Sequence, residues 1–181
     1  MATFTERMIG AARLDRAIFE EVEGDQGATS QAMLVVVGAA VAAGIGAARS
    51  GPTAIVWGVV AALAGWCIWA GLTYFIGAKV MPEPQTHADF GQLLRTIGFA
   101  ATPGLLQVLG ILPLVGGLVI LVAWLWQLAA MVIAVQQALD YSSIGRAVAV
   151  CLIGWLAYVA AMFVITAMLG GAALLGGALA N

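Results

Sequence analysis

Residues 97–135 read IGFAATPGLLQVLGILPLVGGLVILVAWLWQLAAMVIAV, and from Ile97 to Val135 there is no Asp, Glu, Lys, Arg or His. About 20 apolar residues in a helix cross the hydrocarbon core of a bilayer. This run is about twice that length, so it reads as two crossings joined by a tight, uncharged hairpin. Gly110-Ile111-Leu112-Pro113 supplies the turn, with Pro113 suited to the first turn of the next helix, where a missing N–H costs nothing.

Composition extends the reading to the whole chain. Hydrophobic residues make up 63% and charged residues 9% of the 181 residues, and the mean hydropathy is +1.04, outside the range of a soluble domain. An outer-membrane barrel would alternate apolar and polar residues, whereas Met33 to Val37 and Leu118 to Val122 are apolar throughout. The expected fold is therefore all-α, a polytopic bundle of five transmembrane helices: Gln31–Ala48, Thr53–Ala78, Leu94–Leu112, Leu114–Val135 and Ala147–Leu169. Arg49-Ser50-Gly51-Pro52 ends the first span and starts the second. The Gly- and Ala-rich tail after Leu169 extends the last helix or frays. Residues 1–30 form an N-terminal cytoplasmic arm, and residues 31–181 the membrane domain.

Basic residues set the orientation, because cytoplasmic loops retain them. With the N-terminus inside and the C-terminus outside, Arg7, Arg13, Arg16, Lys79, Arg95 and Arg146 are cytoplasmic and only Arg49 is external. Met1 to Asp25 holds six acidic and three basic residues with no continuous apolar core, which does not describe a cleaved signal peptide. Within it Phe4, Met8, Ala11, Leu14, Ile18 and Val22 recur at helical spacing and predict one amphipathic helix over Phe4–Val22, interrupted by Asp15. The acidic cluster Glu20, Glu21, Glu23 and Asp25 weakens attraction to anionic lipid, so the arm is expected to rest on the inner interface or the cytoplasmic loops.

Intramembrane chemistry generally needs ionisable side chains within spans, and no span interior has one. That argues against a proton-coupled pump, an intramembrane aspartyl or metalloprotease, and a voltage sensor. His87 is the single histidine, and the prolines of Met81-Pro82-Glu83-Pro84 break any register that would pair it with Glu83 as a metal ligand, so the connector to Asp89 reads as a solvated loop. Cys67 and Cys151 fall inside spans without ligand neighbours and read as small apolar residues. No cofactor or metal site is expected, and no basic face is present for nucleic acid. Pro103 lies inside the third span, where it should kink the helix, with Thr102 covering the freed carbonyl. Gln107, Gln127, Gln136 and Gln137 are the notable polar side chains of the third and fourth spans, and Gln127 is expected to hydrogen-bond across helices, worth on the order of 1 kcal/mol. Gly38 with Ala42, Ala40 with Gly44 and Ala61 with Gly65 permit close helix contact. Trp66 and Trp126 lie too deep for an interfacial belt and should pack between helices or face lipid or a partner.

Leu94-Arg95-Thr96-Ile97-Gly98-Phe99-Ala100-Ala101-Thr102-Pro103-Gly104-Leu105-Leu106, then Pro113, Trp126, Ala134-Val135-Gln136-Gln137-Ala138-Leu139-Asp140 and Arg146-Ala147, resembles the prokaryotic branch of the Ypt-interacting-protein (Yip) domain family. The likeness extends to Arg13-Leu14-Asp15 and Glu20-Glu21-Val22-Glu23, and so to nearly the whole chain. It implies five spans with the N-terminus inside, matching the charge count, and a multi-pass protein of a bacterial inner membrane. Eukaryotic relatives bind prenylated small GTPases, a partner that a bacterial member would lack. No catalytic residue transfers, so Arg95, Pro103, Gly104, Pro113, Gln127, Asp140 and Arg146 are nominated as interaction or structural positions. The expected function is a non-enzymatic membrane scaffold or accessory subunit that binds lipid and a larger membrane complex. The alternative is a lipid or small-molecule transport or scrambling protein that uses the kinked third helix and the fourth as its path. A third, an enzyme at the inner surface, requires Arg95, His87 and Asp140 to converge.

Overall fold

A computed structural model describes the backbone of residues 1–47 and 52–179, with side chains described in that range to 160 and at Phe163. Its elements are α1 (Phe4–Ala12), α2 (Arg16–Gly24), α3 (Ala28–Gly46), α4 (Pro52–Tyr74), α5 (Phe90–Ala100), α6 (Gly116–Ala138) and α7 (Ile144–Leu179). A π-helical stretch, Phe75–Val80, continues α4, and a 3-10 helix, Thr102–Ile111, continues α5. The architecture is all-helical, with no strand among the described residues. Four helical segments are long and apolar enough to cross a membrane: Ala28–Gly46, Pro52–Val80, Phe90–Ile111 and Gly116–Ala138. The described apolar part of α7 is shorter, Ile144–Ala160, while its backbone stays helical through the Gly/Ala-rich tail to Leu179. Of the expected turn Arg49-Ser50-Gly51-Pro52, only Pro52 lies within the described residues, where it opens α4.

The N-terminal segment is two helices, not one. Leu14 adopts φ 62°, and Asp15 accepts a hydrogen bond from the Ala17 N–H at 3.0 Å, so the residue that interrupts the apolar stripe is the N-cap of a new helix. The break resets the helical phase. Ala11, Phe19 and Val22 are fully buried, so Phe19 faces the core where an unbroken helix would have put Ile18. The two helices pack lengthwise against α5 and α6: Phe4 meets Phe99 edge-to-face at 6.3 Å, Trp126 Nε1 donates to Ala12 O at 2.7 Å, and Gln137 Nε2 donates to Glu20 Oε2 at 3.0 Å. Trp126 is halfway along α6 and Gln137 near its end, about 16 Å apart at 1.5 Å per residue. The hairpin thus runs along half of α6 as a flanking helix pair.

At Pro103 the α-helix gives way to a 3-10 helix. The α-helix stops at Ala100, Pro103 sits in the first turn of the 3-10 helix, and Thr102 Oγ1 donates to Phe99 O at 2.6 Å, covering the freed carbonyl as expected. At the far end Pro113 does not start a helix either. Leu114 takes φ 70° and the Gly116 N–H reaches Leu112 O at 2.9 Å, delaying α6 to Gly116. The buried face of α3, which includes Ala28, Ala32, Val35, Ala39 and Ala42, lies against α5 and its 3-10 extension. The approach is close enough that a Cβ on Gly98 would stand 2.6 Å from Ala32 Cβ and 3.2 Å from Trp66 Cζ2. Gly38 and Gly44 work similarly, against Leu105 and Ile55, whereas a Cβ on Gly58 or Gly65 would meet nothing within 4 Å. Gly98→Ala should therefore lower the thermal unfolding midpoint in detergent, by about 1–3 kcal/mol of overpacking. Gly58→Ala should hold or raise it, by up to about 1 kcal/mol of helix propensity. Equal behaviour of the two variants would contradict the α3–α5 contact.

Candidate functional site

At the end of the bundle where α2, α5 and α6 meet the connectors, arginines hold chain segments together by their carbonyls and carboxylates. Arg7, 2% exposed, donates to Glu21 Oε1 from Nε (3.1 Å) and Nη2 (2.8 Å), reaches Asp25 Oδ2 at 2.8 Å, and donates from Nη1 to Gln31 Oε1 at 3.0 Å. It lies three and four residues from Phe4 and Ala11 on the buried face of α1, a position where an arginine has to be paired. The Arg7 hydrogen bonds hold the Glu21 and Asp25 carboxyls below their ordinary range.

Arg95 is 6% exposed and donates from Nε to Val22 O at 3.1 Å and Glu23 O at 3.0 Å, with Nη2 also on Glu23 O. Those are among the last carbonyls of α2, which lack intrahelical partners and sit at the negative end of the helix dipole. Beside them the Glu23 side chain is 8% exposed, and its Oε2 is buried without a hydrogen bond. Desolvation first, then the charges of Asp140 and Glu20, push the Glu23 carboxyl up to about 7, against a smaller opposing effect of Arg95.

The connector expected to be a solvated loop is pinned onto the α6–α7 turn. Asp140 leaves α6 at φ 52°, and the N–H groups of Asp140 and Tyr141 return to Gln137 O and Gln136 O at 2.9 Å each. Thr86 Oγ1 donates to Leu139 O (2.8 Å), Gln85 Nε2 to Asp140 O (3.1 Å), and the His87 backbone N–H to Asp140 Oδ2 (3.3 Å). Glu83 lies 3.0 Å from Arg146 Nε and accepts from the Ser142 N–H at 3.0 Å, an interaction that holds its carboxyl low. Arg146 Nη2 donates to Met81 O at 2.8 Å, and the Tyr141 hydroxyl is within hydrogen-bonding distance of Gly77 O (2.9 Å) and Met81 O (2.8 Å), at the π-helical end of α4. Arg95, His87 and Asp140 thus share one end of the molecule without forming one site: Arg95 is turned to α2, and His87 offers Asp140 its backbone, not its ring.

Deeper, a cavity of about 380 Å³ lies between α3, α4, the α5 extension and α6. Its walls are mostly apolar, and no lining residue among the described ones is ionisable. Gln107 and Gln127 enter it from opposite elements, both half-buried, and neither side chain hydrogen-bonds to another described residue, so the interhelical bond expected of Gln127 is not formed among the described residues. Gly104 makes the room for them: a Cβ there would stand 3.0 Å from Gln127 Oε1, 3.2 Å from Ala39 Cβ and 3.5 Å from Gln107 Nε2.

Residues 15–165 match the Yip1 domain. The chain belongs to the Yip1 family. No curated protein and no solved structure matches it. In this Yip1 domain the positions marked by the sequence, Pro113 aside, fall into two groups. Arg95, Asp140 and Arg146 build the clamps of the polar end, while Thr102, Pro103, Gly104 and Gln127 shape the cavity and its wall. Pro113 belongs to neither group and lies in the turn before α6.

Two outcomes follow for the polar end. Arg95→Met removes charge-assisted hydrogen bonds to α2, each worth about 1.5–3 kcal/mol, so amide exchange in α2 should quicken by on the order of tenfold to a hundredfold. Unchanged exchange would remove Arg95 from the clamp. Because the folded Glu23 carboxyl titrates above its ordinary 4.5, near 7, its contribution is complete below pH about 4.5 and is lost as pH rises through about 7. Thermal stability should therefore fall across that window in the native chain and stay flatter in Glu23→Gln.

Proposed function

We propose that this Yip1-family membrane protein is a non-enzymatic scaffold or accessory subunit of a larger membrane complex. In this reading it has five spans with the N-terminus in the cytoplasm, residues 1–30 as its docked arm, and a bacterial inner membrane as its location. One observation carries the proposal. The segment Pro52–Val80 has mean hydropathy 1.9, yet only 6% of its apolar window is buried inside the molecule. A helix of that length, with Val56, Trp57 and Ile68 at 62%, 67% and 55% exposure, presents a continuous apolar side to lipid and to a lateral helical partner. The polar end supports the same conclusion, since Arg7, Arg95 and Arg146 are engaged by carbonyls and carboxylates of their own chain. The test is mild extraction from the native membrane with mass spectrometry of what co-purifies. A stoichiometric membrane partner that is lost on Trp57→Ala is expected, and recovery as a solitary monomer counts against the scaffold.

The cavity favours a second reading, transport or scrambling of a lipid or small molecule past the α5 extension and α6. Its polar element is the Gln107–Gln127 pair, and flux in liposomes abolished by Gln127→Leu would support it.

A further inference from the structure

We infer that the cavity is a binding chamber for an uncharged amphiphile, a lipid whose hydroxyl or carbonyl head meets Gln107 and Gln127 and whose tail leaves between α4, α6 and α7. The inference shares its chamber with the transport reading but claims occupancy, not movement.

Three observations define the ligand. The first is the pair of amides, which present two donor groups and two carbonyl oxygens to the chamber with no protein partner among the described residues. Polar groups in apolar surroundings are costly unless something in the space completes them. An amide pair matches a hydroxyl or an ester carbonyl, each of which gives or takes one or two hydrogen bonds. The second is the absence of any ionisable residue among the described lining residues, which leaves a phosphate, carboxylate or ammonium head without a counter-charge from them. The head is therefore neutral. The third is continuity. Trp69, Trp124, Leu128 and Met131 line the chamber and also a second cleft of about 590 Å³, whose other side is α7 at Val148, Leu152 and Trp155. Trp124 and Leu128, at 59% and 53% exposure, form the shared rim, so the chamber communicates sideways with the lipid-facing surface. A polar inner end with an apolar, laterally open exit is the shape of a single-headed amphiphile, and the volume falls in the range of small-molecule sites.

Gly65 gives a clean way to close the chamber. It lines the space, and a Cβ built on it meets nothing within 4 Å, so the side chain of Gly65→Phe can enter the chamber from a helical position without a clash at its first carbon. The experiment uses the full chain in phosphatidylcholine nanodiscs containing a few mole per cent of a diacylglycerol brominated on one acyl chain, with tryptophan fluorescence as the readout, since Trp66, Trp69 and Trp124 line the chamber. Wild type should show a saturable quenching component that is absent in Gly65→Phe and about threefold to tenfold weaker in Gln127→Leu, as loss of one neutral hydrogen bond implies. Phosphatidylglycerol brominated on the same chain should give only the non-saturable component, equal in all three proteins. Matching circular dichroism and thermal midpoints confirm that Gly65→Phe is folded. Identical diacylglycerol curves in wild type and folded Gly65→Phe, or equal saturable quenching by the anionic lipid, overturns the inference. Saturable binding without liposome flux leaves it standing and rejects transport, whereas flux without saturable binding overturns it.

Discussion

A carbonyl at the end of a helix has no partner in its own helix, and where packed segments cover that end water cannot supply one. Much of the architecture here depends on meeting that constraint from another segment. Arg95 takes the end of α2, Arg146 and Tyr141 take the π-helical end of α4, Thr86 takes Leu139 at the end of α6, and Trp126 takes Ala12 at the end of α1. Each such bond joins segments distant in sequence, so satisfying the ends also fixes the tertiary arrangement. The connector from Met81 to Asp89 has few apolar residues to bury, yet it is held because both flanking turns require what it offers.

The α5 segment combines two opposite local solutions. From Arg95 to Gly104 every residue is buried, and α3 approaches closely enough that Gly98 tolerates no side chain. One turn later the tighter 3-10 geometry swings Gln107 toward α6, and Gly104 leaves space instead of filling it. Close packing below and an opening above therefore arise from the same run, separated by Thr102-Pro103. The proline ends the α-helical ladder, and the threonine keeps that end from being unsatisfied.

The helical class and the apolar segments were legible because a charge-free run of this length has few other solutions, and the hairpin between the third and fourth spans followed from length alone. Asp15 shows how a correct observation led to the wrong element: it was visible as a break in the apolar stripe, but a break and an N-cap look alike until the backbone reversal at Leu14 is known. Pro113 failed for a related reason, since suitability for a first turn does not say which residue the turn chooses. The importance of Thr102 and Pro103 was readable locally, because the missing N–H is a covalent fact. Arg95 was marked by resemblance, but its partners, the carbonyls of Val22 and Glu23, are more than seventy residues away and leave no local signature. The cavity was least legible of all. Gln107 and Gln127 stood out as polar, but whether two such residues pair with each other or face a common space is decided by helix placement.

The arm on the flank of α6 has a consequence for bilayer thickness. From Gly117 to Ala129 α6 is largely exposed, whereas no residue from Ala130 to Ala138 is. This thirteen-residue stretch amounts to about 20 Å of helix, against a hydrocarbon core about 30 Å thick. The bilayer beside this flank therefore meets on α6 a hydrophobic stretch shorter than its hydrocarbon core, bordered by the charged turn at Arg13, Asp15 and Arg16. At fractions of a kcal/mol per ångström of mismatch, the shortfall costs on the order of a few kcal/mol in a bilayer of average thickness and less in a thinner one. The two short helices at the start of the chain thus help set which membrane thickness suits the molecule, although neither is long enough to cross one.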